Sequence, residues 1–335
     1  MTGVTGVTGV SELPRRGFVL SLAALALPAC ASRPPPLPPP IPPAPLHLSP
    51  LTDLVAAGGL DMLVVARPAE IARDATLAAP LALLLPPERM DTLAKHLGFD
   101  VRLADALVMA TYGPSTLFLV QIAHERRLVE ERFASRLTGA ATRSEGRVVR
   151  LSGTIGATPR ALADLDEAVI AMELGSRGPL VAAIAFAEQK LKRAKPALAA
   201  EPLTTLAARL GDAPMRILAP SPARSGWQGA HGLLPRATAV GVALTPRPDG
   251  LLVRGTMLGA FDDPPTEALV RLAKTAADVA ESPLGHLLSL DRPVVPLATG
   301  GDKDALRAEL VLDPAKVAAG LRAAMSAQLT EIFGA

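Results

Sequence analysis

From Arg33 to Pro45 the chain reads RPPPLPPPIPPAP. No other stretch limits its folding so sharply. Proline lacks a backbone N–H and holds φ near −65°, so this run can be neither a helix interior nor a central strand. It adopts polyproline II at about 3.1 Å per residue, a semi-rigid spacer on the order of 40 Å long. The chain is thus divided into a leader, a spacer and a body. The other use of such a run is as a ligand for a proline-reading domain.

The whole chain has 335 residues, enough for the body to bury a sizeable core. Apolar residues make up 49% and charged residues 20%, which excludes disorder over most of the length. The longest uncharged apolar stretch of the body, Ala106 to Ala123, is broken by Gly113-Pro114-Ser115-Thr116. A bundle of membrane-spanning helices is therefore not expected. The net charge is +2 and aromatic residues are 3%, so neither a basic footprint nor stacking platforms point to nucleic acid.

The leader begins with a threefold Thr-Gly-Val repeat, a low-complexity stretch with no packing pattern. Arg15 and Arg16 follow, then an apolar run from Gly17 to Ala29, then Cys30. Positive charge followed by a short apolar run and small residues is the layout of a secretory signal peptide. At about 1.5 Å per residue the run is too short to cross a hydrocarbon core of about 30 Å. Residues 1–29 are read as a removed signal peptide, and residues 30–48 as a linker headed by Cys30.

Arg15-Arg16-Gly17-Phe18 resembles the twin-arginine export motif, with Arg15, Arg16 and Phe18 matching it. Pro14 stands where the motif has Ser or Thr, and Val19 where it has Leu. An ordinary secretory signal also carries positive charge here. Leu27-Pro28-Ala29-Cys30 resembles the lipobox of bacterial lipoproteins. The resemblance implies a diacylglyceryl thioether on Cys30, cleavage before it and acylation of the new terminus. Ala31 after the Cys, rather than Asp, implies the outer membrane, facing the periplasm. The rival reading is cleavage after Ala31, within Ala29-Cys30-Ala31, which would release a soluble periplasmic or secreted protein. Cys30 is the only Cys in the chain, so the mature body has no disulfide, thiolate–metal or redox site of its own.

The body, residues 49–335, reads as α+β, with antiparallel sheets and packed helices. It contains two stretches of similar style, 49–195 and 214–335, which could be two similar halves. In the first, a helix is expected from Ser49-Pro50 to Gly58, a strand over Met62–Ala66, and a helix from Pro86 to Gly98. A hairpin follows over Ala106–Tyr112 and Thr116–Ile122, then a helix from His124 to Leu137. Strands are expected over Val148–Ile155, Ala161–Leu165 and Val169–Leu174, and a helix from Leu180 to Lys195. In the second, Met215–Ala219 reads as a strand. Thr238–Thr245 and Leu251–Leu258 form a hairpin around Pro246–Gly250. A helix opens at Pro264-Pro265, with Leu269, Leu272, Ala276 and Val279 in register. Ala305–Leu312 is a strand, and a last helix buries Val317, Leu321, Met325, Leu329 and Ile332.

Chemistry is sparse. No two His lie within five residues of each other, and there is no nucleophile elbow, phosphate loop or dinucleotide fingerprint. Asp164, Asp166 and Glu167 read as solvated turn residues. The stretch from Ser225 to Gly232 holds the only Trp, a His and three Gly. Trp227, Gln228 and His231 are the candidate ligand contacts there. No catalytic residue, metal or cofactor is expected. The leading functional reading is a non-enzymatic envelope lipoprotein, held by its lipid anchor, whose body binds a protein partner or acts as a scaffold. The alternative is a carrier of hydrophobic cargo, since a body rich in aliphatic and poor in aromatic residues suits acyl chains. The second alternative is an enzyme with a site near the Trp227–His231 loop. A large apolar cavity would favour the carrier, and a filled core with an exposed apolar patch the partner reading.

Overall fold

The structure, a computed structural model, describes residues 44–333 apart from Glu145, Arg177, Lys192, residues 223–228 and Asp263, and apart from the side chains of residues 326–333. The leader, with Arg15, Arg16, Phe18 and Cys30, lies outside the described residues, as do Trp227 and Gln228.

The first part of the body runs β1 (Met62–Ala66), α1 (Pro68–Arg73), α2 (Ala78–Leu84), α3 (Pro87–Leu97), β2 (Ala106–Tyr112), β3 (Ser115–Gln121) and α4 (Arg126–Ala134). It continues with β4 (Thr142–Ser144), β5 (Val149–Ile155), β6 (Thr158–Asp166), β7 (Val169–Leu174), α5 (Pro179–Ala187) and α6 (Leu203–Leu210). The second part runs β8 (Met215–Pro220), β9 (Ala237–Arg247), β10 (Gly250–Gly259), α7 (Thr266–Glu281), α8 (Pro283–Leu287), β11 (Val295–Gly301), β12 (Ala305–Leu312) and α9 (Pro314–Phe333). The α+β class holds. The named strands form one sheet in the order β11-β12-β10-β9-β8-β1-β2-β3-β7-β6-β5-β4, antiparallel throughout.

The connectivity repeats about the β1–β8 seam. From β1 the sheet goes outward through β2, β3, β7 and β6; from β8 it goes outward through β9, β10, β12 and β11. In each direction a hairpin lies next to the seam strand; the chain then passes through helices, α4 on one side and α7 and α8 on the other, and returns from the sheet's far edge, through β4, β5, β6 and β7 on the first side and through β11 and β12 on the second. At the seam, Leu63 stands opposite Leu218 and Val64 opposite Ile217.

One face of the sheet carries a core that crosses the seam. Leu63, Leu117, Ala163 and Ala171 meet Leu218, Ala239 and Ala243 under Leu180 of α5 and Leu206 and Leu210 of α6. Each such Leu contributes about 1.5–3 kcal/mol relative to exposure. The small residues of β9 let α6 come close: a Cβ on Gly241 would run into Leu210, Leu206 and the Ile217 carbonyl. The opposite face is divided. Leu151, Leu162, Ile170 and Val120 pack with Val129 of α4, while Leu233, Phe261 and Leu306 pack with Ala268 of α7.

Several elements differ from expectation. Ser49-Pro50 starts only a short 3-10 turn, Leu51–Leu54, because Val55 and Ala56 are drawn into extended pairing with Ala197 and Pro196. The helix expected to reach Lys195 ends at Ala187. Gln189 takes a left-handed backbone, its N–H donates to the Phe186 carbonyl, and the Lys190 N–H donates to the Ala185 carbonyl. That is a Schellman closure, and it leaves Lys190, Arg193 and Lys195 beyond the helix. Edge strand β11, which is not among the expected strands, takes in Gly300 and Gly301. Val279 and Met325 are exposed, not buried along their helix stripes. α9 is nonetheless capped by Asp313, whose Oδ1 accepts from the Ala315 and Lys316 amides.

Candidate functional site

The first part of the body encloses two half-open apolar cavities. The first, about 480 Å³, lies among the short helices. Pro68, Ile71 and Ala72 of α1, Ala78, Leu81, Ala82 and Leu85 of α2 and its end, and Pro87 and Met90 of α3 line it with Val101 and Arg102. Proline explains why these helices are short and separate: α1 and α3 each open on a proline, a position where its missing N–H costs nothing.

The second cavity, about 310 Å³, lies between α3, α4 and the sheet. Its floor follows from strand register. Leu107 stands opposite Val120, Val120 opposite Ile170, Phe118 opposite Met172, and Arg160 opposite Leu174. Residues opposite one another share a face, so Leu107, Val120, Phe118, Met172, Leu174 and Arg160 all stand on the α4 side. Leu93 and Leu97 of α3 and Phe133 of α4 form the roof, with Phe99 and Val101 at one end. Val101 lines both cavities.

The polar groups of the two cavities are in opposite states. In the first, Arg102 is paired with two carboxylates. Its Nε donates to Asp100 Oδ1 at 2.9 Å, and its Nη2 donates to Asp100 Oδ2 at 2.7 Å and to Asp91 Oδ1 at 2.6 Å. These bonds hold the Asp100 carboxyl below the usual carboxylate range and raise the guanidinium still further. In the second, the charged residues are Arg136, Arg160 and Glu173. Glu173 is spent on the start of α5, accepting from the Gly178 amide at 2.8 Å and the Leu180 amide at 3.3 Å. It stands opposite Ala161, so it points to the other side of the sheet from Arg160. Arg160 Nη1 is buried with no hydrogen-bond partner. Neither Arg160 nor Arg136 has a carboxylate partner among the described residues.

The candidate ligand loop fares differently. His231 sits in a 3-10 turn, Ala230–Gly232, on a left-handed backbone. Its Nε2 is 2.6 Å from Asp278 Oδ2 of α7, and it lines none of the cavities described here. Asp164 is not a solvated turn residue. It is 2% exposed, 3.1 Å from His124 Nε2 and 3.0 Å from Arg126 Nε, and pins α4 to β6. Arg160 escaped the sequence reading because the strand was begun at Ala161. The available signal was alternation across Arg160, Leu162 and Asp164, which places a cation in line with a core leucine.

Among the described residues, no group of His, Cys, Asp and Glu could hold a metal ion, and no helix is long and apolar enough to cross a membrane. No protein-family description and no curated protein matches the chain. Two crystal forms of TP0453 share its fold. Each has a TM-score of 0.50 and 11% sequence identity. One alignment covers 83% of this chain and 99% of TP0453, the other 81% and 96%. At that identity the likeness is one of fold.

Proposed function

We propose that this protein is a non-enzymatic envelope lipoprotein, anchored through Cys30 and held off the membrane by the Arg33–Pro45 spacer, whose body takes up the apolar chain of an amphiphile. One observation carries the reading: two apolar cavities, about 480 and 310 Å³, that share Val101 in their walls. Each falls in the size range of sites that enclose small molecules, and apolar lining is what such sites use to hold a chain. Export by the twin-arginine route and a position facing the periplasm belong to the same proposal.

Two measurements test it. The protein is purified from a lipoprotein-competent bacterium, stripped of bound lipid and titrated with 1-hexadecanol, with uptake read by native mass spectrometry. Stoichiometric uptake is expected, and Ala82→Phe, which fills the first cavity from an exposed helix position, is expected to weaken it severalfold with stability within about 1 kcal/mol of wild type. No uptake by the wild type overturns the carrier reading. The anchor is read from the mass of the N-terminal peptide. Acylated Cys30 is expected; a free terminus at Ser32 overturns it.

A second reading has its own observation. Val270, Val279, Leu284, Val294 and Val295 are exposed on α7, α8 and the approach to edge strand β11. Exposed apolar residues on successive elements suit a protein partner or scaffold role.

A further inference from the structure

We infer that the ligand of the second cavity is an anionic amphiphile, its acid group, a carboxylate or a phosphate, held by Arg160 with Arg136. The inference rests on the carrier reading and adds the chemistry of the headgroup. The floor and roof are otherwise hydrocarbon: Leu93, Leu97, Phe118 and Met172 offer nothing that could fix the orientation of a neutral chain. Two guanidinium groups enter the same lining from different elements, Arg160 from β6 and Arg136 from just beyond α4. Like charges that share an apolar wall repel one another, and a carboxylate would normally accompany them. The one in the lining, Glu173, is committed to the α5 amides and stands on the other side of the sheet.

Arg160 carries the argument further than Arg136. An exposed arginine without a partner is ordinary, but a buried guanidinium N–H without one is costly. Arg160 cannot relieve that cost by losing a proton, since the guanidinium stays charged. Its strand neighbours on the same face are Leu162 and Leu174, apolar residues that a methionine at position 160 would suit. The position therefore sacrifices stability in the empty protein. An anion bound there restores the missing acceptor, and the planar fork of the guanidinium matches both carboxylate and phosphate. The first cavity makes the contrast: Arg102 already has two carboxylate partners, Asp91 and Asp100, so its charge is balanced within the protein.

The test uses the full mature protein, stripped of lipid, with four probes: hexadecanoate, hexadecyl phosphate, 1-hexadecanol and inorganic phosphate alone. Both long-chain acids are expected to bind at least tenfold more tightly than the alcohol. Arg160→Gln and Arg136→Gln are each expected to shrink that preference, and Arg160→Lys to keep part of it. Arg160→Met is expected to raise the Tm of the empty protein while abolishing the preference; a purely structural arginine would instead lower it on replacement. Equal binding of acids and alcohol overturns this inference and leaves the carrier reading standing. Failure of every long-chain probe overturns both. Inorganic phosphate binding as tightly as hexadecyl phosphate overturns the amphiphile and leaves a bare anion site. An unchanged acid preference in both Gln variants moves the headgroup elsewhere and overturns the assignment.

Discussion

The two sides of the β1–β8 seam follow one plan and end in different interiors. Beyond β1, residues 67–105 supply three helices before the hairpin begins, and these enclose the apolar cavities. Beyond β8, residues 221–236 contribute, in their described part, only two 3-10 turns. Leu233 from that stretch packs directly against Phe261 and Leu306 under α7. The second half has a cavity of its own, about 260 Å³, but it is polar, and Arg209 and Asp302 on its wall already pair at 2.8 Å. The sheet plan alone therefore does not create an apolar site. The connection inserted after the seam strand contributes most to it, because its short helices leave one space among themselves and, through α3 with α4, another over the sheet.

The sharpest way to break this comparison is at the seam. Leu218→Ala removes a fully buried side chain from the core that both halves share, and is expected to cost about 2–5 kcal/mol. The loss should appear in one cooperative denaturation transition for the whole body. Two separated transitions would mean that the halves stabilise themselves independently.

Hydrogen exchange sharpens it next. α1, α2 and α3 border voids, whereas β9 and β10 lie inside the sheet with partners on both sides. Amides of the three helices should open with a free energy on the order of 2 kcal/mol below those of β9 and β10. Equal protection would show that the roof is as firmly held as the sheet, contrary to the contrast drawn between the halves.

The smallest expected effect is electrostatic. Arg102 lowers the Asp100 pKa in the folded protein from an ordinary 3.8. Folding therefore gains from this carboxylate above about pH 4 and loses the gain as pH falls through the folded value. Asp100→Asn should lower stability near neutrality by about 1 kcal/mol or less, and the gap from wild type should close in acid. A gap that widens in acid would reverse the sign and remove Asp100 as the partner that satisfies Arg102.

How much of this was legible depends on how local the cause is. The hairpins over residues 106–121 and 237–259 announce themselves as alternating apolar runs around Gly-Pro and Pro-Asp-Gly turns. The last helix announces its start with Asp313-Pro314, and Asp313 caps it. The end of α5 was hidden, because its Schellman closure uses Gln189, a residue with no special claim to a left-handed backbone. α1 and α2 are too short for helical periodicity to stand out from an Ala- and Leu-rich background. Of the candidate site, the aliphatic composition hinted at apolar cargo. Arg160 and Arg136 did not stand out, since a strand's cation looks solvated until its register is known.

By itself the sequence determined the α+β, antiparallel character of the body and set the proline-rich stretch Arg33–Pro45 apart from it. Proline content, alternation and turn residues act over a few neighbours, so they can be read along the chain. Only the tertiary structure decided that the halves join through β1 and β8 into one sheet, that apolar cavities open around α1 to α4, and that Arg160 Nη1 lies buried without a hydrogen-bond partner beside one of them. Those outcomes depend on which distant residues come to face one another and on how much of the space between them their side chains fill. Neither quantity is carried by any short stretch of the chain.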